Sequence, residues 1–225
     1  MSNNEDEFEY SFNSQWMNSP GFLTCTVPDC VKKETEDLIQ EIEKGDIDVD
    51  DYRSKLAGHL EKETSLPIRP KLKYLIESLS YEYDKVFRGG KSAVHHFYTE
   101  KEFNNGWKYE LKSLWINYAK KHDFNPIHNH SGIYSFVIWV KIPYNLEEEL
   151  SLYPANGNQT SLFSFRYIDS LGELVTHHLY LDKTWEWKMA LFPAKLHHGV
   201  NPFYTSDDNR ISISGNVFST LTNEK

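Results

Sequence analysis

The residues of this chain best suited to chemistry are its histidines. Ten occur in 225 positions, eight of them in four close pairs at 95/96, 128/130, 177/178 and 197/198. Spacing separates the pairs. On an extended strand, residues two apart point the same way, about 6.6–6.8 Å along the chain. His128 and His130, in Asn125-Pro126-Ile127-His128-Asn129-His130-Ser131-Gly132, can therefore turn both imidazoles toward one metal ion. Adjacent histidines point apart, so each of the other pairs can give at most one ligand. Taken alone the motif is weak, because solvated or hydrogen-bonded histidines are the commoner reason for such a pair.

A third ligand has to come from elsewhere in the chain. His197-His198-Gly199-Val200-Asn201-Pro202 follows a strand expected over 185–192, in which Trp185, Trp187, Met189 and Leu191 alternate with Glu186 and Lys188. That alternation implies one buried face, with the histidine pair on a bend just beyond it. In the last strand-like run, Arg210, Ser212, Ser214 and Asn216 share one face, and Ile211, Ile213 and Val217 share the other. Two readings stand level. The run is an edge strand with its polar face in water, or it lines a pocket. In the second case Arg210 offers a planar cationic fork to a carboxylate, with the Ser212 hydroxyl beside it.

The elements that must position these groups fall into two halves. Residues 1–20 are polar and close on Pro20-Gly21, which implies a disordered tail. Phe22–Val27 reads as a short strand. Apolar spacing then predicts a helix over Val31–Lys44, capped by Asp29 and stopped by Gly45, and a second from Pro70 to about Val86, ended by Gly89-Gly90. From about residue 109 the texture changes to strand-like runs at 109–118, 132–142, 161–168, 174–181, 185–192 and 210–218. Six such runs without helical periodicity between them imply a mostly antiparallel sandwich or barrel, with the N-terminal helices bracing one sheet. The Asn145–Thr160 stretch is the longest interruption, open to reading as a lid or as a surface insertion.

Composition narrows the classes. A net charge of −9 disfavours broad nucleic-acid binding. No apolar run approaches the ~20 residues of a membrane helix, and the acidic N-terminus does not read as a signal peptide. Two cysteines, Cys25 and Cys30, are too few for a disulfide scaffold and suit a reducing compartment. A cytoplasmic protein is expected.

In order along the chain, the pattern is His128-x-His130-x-Gly132, then Phe192-Pro193-x-x-x-x-His198-x-Val200-x-Pro202, then Arg210-x-Ser212-x-x-x-Asn216. This resembles the Fe(II)/2-oxoglutarate-dependent oxygenase superfamily, in the branch common in phages and bacteria. The resemblance covers roughly residues 109–218. Leu56-Ala57-Gly58-His59 resembles phage members more faintly.

The resemblance implies a double-stranded β-helix, a jelly-roll relative, as the core of one domain over residues 21–225. The helical part would span about 28–105 and the jelly roll about 106–218. It implies Fe(II) and 2-oxoglutarate as cofactors, with O2 as cosubstrate, and a prolyl-hydroxylase-like hydroxylation of an unknown substrate. His128, His130 and His198 would be the metal ligands, Arg210 the grip on the far carboxylate of 2-oxoglutarate, Ser212 its assistant, and Tyr118 a further cosubstrate contact. One departure stands out: His130 occupies the place of the usual carboxylate, so it either ligates as a third imidazole or does not ligate at all.

Two rival classes remain. A cupin-like metalloprotein shares the fold, but no carboxylate follows His130 in Ser-Gly-Ile-Tyr-Ser-Phe. A non-catalytic jelly-roll module, virion-associated for example, could use the six tryptophans at 16, 107, 115, 139, 185 and 187 for contact, although Trp139 and Trp187 fall in core-like runs. The helical half is open to two roles, substrate specificity or homodimer contacts.

Overall fold

The computed structural model describes residues 21–94, 97–104, 106–153 and 157–222. The tail expected over 1–20 and the pair His95/His96 lie outside the described residues. In chain order the elements are β1 (Leu23–Thr26), α1 (Asp29–Glu43), β2 (Lys62–Ser65), α2 (Pro70–Phe87), α3 (Glu100–Asn104), β3 (Trp107–Ala119), β4 (Asn125–His128), β5 (Tyr134–Lys141), α4 (Leu146–Ser151), β6 (Phe163–Ile168), β7 (Leu174–Leu179), β8 (Lys188–Pro193), β9 (His197–Val200) and β10 (Arg210–Leu221).

The strands form two antiparallel sheets, a larger one in the order β1-β8-β5-β10-β3-β2 and a smaller one in the order β4-β9-β6-β7. The fold is mainly β, and the paired sheets are consistent with a jelly roll. Two apolar clusters form its core. Phe163, Phe165 and Leu179 of the small sheet meet Val137, Trp139, Ala190 and Phe192 of the large one. On the opposite side, Phe136, Ile138, Met189, Leu191 and Ile213 pack with Val31 and Leu38 of α1 and Leu72 and Ile76 of α2. Strands β5 and β8 are thus covered on both faces, which is why they read as continuous apolar runs.

A buried polar contact joins α2 to the sheet. Asp84 accepts from the hydroxyl of Tyr109 on β3 at 2.6 Å and from that of Tyr134 on β5 at 2.5 Å. Burial and this bonding raise the pKa of both phenols, that of Tyr134 the more strongly.

Three local expectations need correction. The strand expected over 185–192 begins only at Lys188, because Lys183–Trp185 is a 3-10 turn capped by the Asp182 side chain and Trp187 has φ of 59°. Its single buried face is also wrong: Met189 and Leu191 enter one cluster while Ala190 and Phe192 enter the other. Asp29 is the first helical residue of α1, not its cap; Pro28 holds that position without a side-chain bond. The 145–160 stretch contains α4, capped by the Asn145 side chain. There Glu149 is buried and accepts from the Tyr204 and Thr205 amides and the Thr205 hydroxyl, which ties the segment to the chain leading into β10.

Candidate metal centre

The small sheet builds the histidine cluster through register. His128 ends β4 and lies directly opposite His198 on β9. His130 follows two residues later, its amide donating to the Ala194 carbonyl at 2.8 Å. Two glycines make this possible. Gly132 adopts φ of 97°, and a Cβ there would fall 2.7 Å from the Val217 carbonyl. At Gly199 a Cβ would fall 3.0 Å from the Asn125 carbonyl and 2.8 Å from Ile127 Cδ1, so a side chain there would press on β4.

The ring nitrogens of His128, His130 and His198 lie within 4.8 Å of one another. His128 Nδ1 is 2.7 Å from the Pro126 carbonyl, and His198 Nδ1 is 2.9 Å from that of Leu196. A carbonyl only accepts, so each Nδ1 carries the proton and each Nε2 keeps its lone pair. His130 Nε2 stands 3.1 Å from His198 Nε2. Two nitrogens at right angles on a metal with bonds of about 2.1 Å would stand about 3.0 Å apart. Two imidazoles oriented by carbonyls, with a third ring nitrogen at this separation, fit a metal ion. Burial pushes all three pKa values down, that of His130 to about 4, which keeps the rings neutral as ligation requires. His198 packs against Phe163 and Phe192 and is only 5% exposed. No carboxylate joins this cluster among the described residues.

The cluster forms one wall of a partly open cavity. The large sheet forms the opposite wall. Arg210, Ser212 and Ser214 line it, so the polar face of β10 is a pocket face. The edge-strand reading fails, because β10 lies between β5 and β3. Arg210 is buried, with its guanidinium 5.2 Å above the Phe203 ring. Its Nη1 donates weakly to the carbonyls of Asn201 at 3.3 Å and Ser161 at 3.5 Å. No carboxylate pairs with it among the described residues. Ser212 Oγ accepts from Asn117 Nδ2 at 3.3 Å.

Tyr118 does not share the cavity, and this corrects the expectation for it. On β3, Trp115, Asn117 and Ala119 line the cavity, which leaves Tyr118 on the other face. There it packs with the helix-side cluster under the ammonium of Lys62, and burial, with nearby Glu43, pushes its pKa up to about 12. Asn117 takes the pocket position instead. Glu63 of β2 also lines the cavity and was not anticipated, since Lys62-Glu63-Thr64-Ser65 carries no apolar period. Leu56, Ala57 and Gly58 line it too, whereas His59 stacks on Phe124. The remaining described pairs have structural partners: His197 meets Asn129, His178 meets Ser164, and His177 packs on Phe22.

Residues 113–216, from β3 through β10, match the model of the family described as "Putative 2OG-Fe(II) oxygenase". This segment is a 2OG-Fe(II) oxygenase domain. The 2OG-Fe(II) oxygenases are oxidoreductases that use Fe(II), 2-oxoglutarate and O2, and the histidine cluster fits that metal. No curated protein matches the chain significantly. Solved structures similar to it include a Pseudomonas putida prolyl-4-hydroxylase at 12% identity, covering 88% of this chain and 91% of that one, with a TM-score of 0.47. A 2OG-Fe(II) oxygenase family oxidoreductase from Burkholderia pseudomallei is also 12% identical, covers 90% and 85%, and has a TM-score of 0.46. The viral collagen prolyl hydroxylase of Paramecium Bursaria Chlorella virus-1, in complex with 2OG, is 12% identical over 87% and 94%, with a TM-score of 0.42. Among the described residues, no helix is long and apolar enough to cross a membrane.

Proposed function

We propose that the chain is an Fe(II)- and 2-oxoglutarate-dependent hydroxylase of the prolyl-hydroxylase type, with His128, His130 and His198 as metal ligands and Arg210 as the cosubstrate anchor. The observation that carries this reading is the convergence of three neutral imidazoles across one cavity from a buried guanidinium that no carboxylate among the described residues pairs with. Fe(II) and 2-oxoglutarate, when bound, supply O2 activation and the oxidation of a substrate C–H bond, with 2-oxoglutarate leaving as succinate and CO2.

The chain's own residues bind and orient. Three uncharged ligands leave the full charge of a divalent ion in place, which favours an anionic cosubstrate at the open face. Ligation by His130 is supported by its 3.1 Å approach to His198. Arg210 offers charge-assisted bonds to a carboxylate, and the Ser212 hydroxyl stands beside it. Phe163, Phe192 and Trp139 keep water from the metal side. Helices α1 and α2 brace the large sheet through Leu38, Leu72 and Ile76, within one domain over residues 21–225.

The test pairs metal binding with turnover. Purified protein supplied with Fe(II), ascorbate and O2 should convert 2-oxoglutarate to succinate, even uncoupled from substrate. His198→Ala should lose both tight Fe(II) binding in equilibrium dialysis and succinate formation. Undiminished iron binding in that variant would defeat the ligand assignment.

A further inference from the structure

Glu63 stands outside the histidine cluster and is not part of the proposed 2-oxoglutarate anchor, yet it lines the same cavity. It is 2% exposed and its Oε2 has no hydrogen-bond partner among the described residues. It lies beside Asn117 in the β2–β3 register, and Asn117 lies beside Ser212 in the β3–β10 register, so the three form a row across the cavity wall. Asn117 Nδ2 is spent on Ser212, and its Oδ1 is also buried without a partner. The result is two adjacent side chains on the cavity wall, one of them an acid, each with a buried oxygen that no donor among the described residues reaches. Such groups cost about 1–3 kcal/mol each while unmade, so a fold keeps them where a bound ligand or water satisfies them.

The charges around Glu63 do not neutralise it. Asp51 and Asp123 face it and oppose its ionisation. Arg53 faces it as well, but its guanidinium is taken by Asp51 at 2.6 Å and by the Glu61 carbonyl at 3.1 Å. With burial as the main cause, its pKa rises to about 7. A cation brought next to it would restore the charged form. Gly58 holds the backbone close over this carboxylate, since a Cβ there would fall 2.7 Å from Glu63 Oε1.

We infer that Glu63 and Asn117 form a subsite for the primary substrate that takes an ammonium or guanidinium group, so that the enzyme oxidises a cationic substrate. The inference rests on reading the cavity as the oxygenase site. Arg210 and the metal would hold the anionic cosubstrate, while Glu63, two strands from Arg210 in the same sheet, selects the opposite charge.

The experiment uses the full chain loaded with Fe(II) and 2-oxoglutarate, with L-lysine and L-arginine as probes and L-norleucine and L-citrulline as their uncharged counterparts. Succinate release is the readout. The two cations should stimulate release in the wild type at least tenfold more than their counterparts. Glu63→Gln should abolish that preference, and Glu63→Asp, which keeps the charge, should retain it. Equal stimulation by charged and uncharged probes, or a preference surviving in Glu63→Gln, would overturn the subsite. The anaerobic visible band formed by Fe(II) and 2-oxoglutarate separates the two possible failures. A normal band with no cation preference removes the subsite alone, whereas no band in the wild type removes the oxygenase reading and the subsite with it.

Discussion

Replacing Arg210 with methionine removes the cation of the cavity's far wall and keeps much of its apolar length. Among the described residues Arg210 makes only two long bonds, at 3.3 and 3.5 Å, both from Nη1 to carbonyls. The rest of the fork is uncommitted, so a carboxylate can gain one or two charge-assisted bonds of about 1.5–3 kcal/mol each. The variant should therefore bind 2-oxoglutarate more weakly by about 2–4 kcal/mol, or roughly 30- to 1000-fold. Iron binding should persist, because Arg210 belongs to β10 and the three histidines to the β4–β9 side. Arg210→Lys should fall between, having the charge but not the planar fork. The assay is anaerobic titration of 2-oxoglutarate into Fe(II)-loaded protein, with Tyr118→Phe as a control that leaves affinity unchanged. An affinity altered less than about threefold in Arg210→Met would refute the anchoring role.

Asp84→Ala strands the hydroxyls of Tyr109 and Tyr134 in the core and should cost about 2–4 kcal/mol in urea unfolding; a loss under about 0.5 kcal/mol would show that this contact does not hold α2 to the sheet. Gly199→Ala forces β9 off the Asn125 carbonyl and should weaken Fe(II) binding at least tenfold in dialysis, against unchanged binding if the β4–β9 spacing is irrelevant. Glu63, raised from 4.5 to about 7, holds its proton longer in the folded than in the unfolded state. Stability should therefore fall as pH rises through that window, by up to about 3 kcal/mol, and Glu63→Gln should remove this slope; parallel pH–stability curves would contradict it.

What the sequence disclosed follows from which signals are local. Strand alternation identified the pocket face of β10, and two-residue spacing put His128 and His130 on one side, because both depend only on the backbone period. Choosing between an edge strand and a pocket wall needed the neighbours of β10, which are 70 or more residues away in sequence for β5 and β3 alike. Tyr118 went astray by a single residue, the step that reverses a strand's faces. Glu63 was invisible for a different reason. Its strand is short, polar and far from the motif, and only pairing with Asn117 carries it to the cavity. The Trp185–Leu191 alternation misled because a tight turn at Trp187 broke the period before the strand began.

The central claim is that three histidines and one arginine assemble a site for Fe(II) and 2-oxoglutarate. Anaerobic protein titrated with Fe(II) and then with 2-oxoglutarate tests it through the visible metal-to-ligand charge-transfer absorption of that pair. The expected result is a band that saturates at one iron and one 2-oxoglutarate per chain and is lost in His198→Ala. No band in the wild type, or an undiminished band in His198→Ala, would contradict the claim.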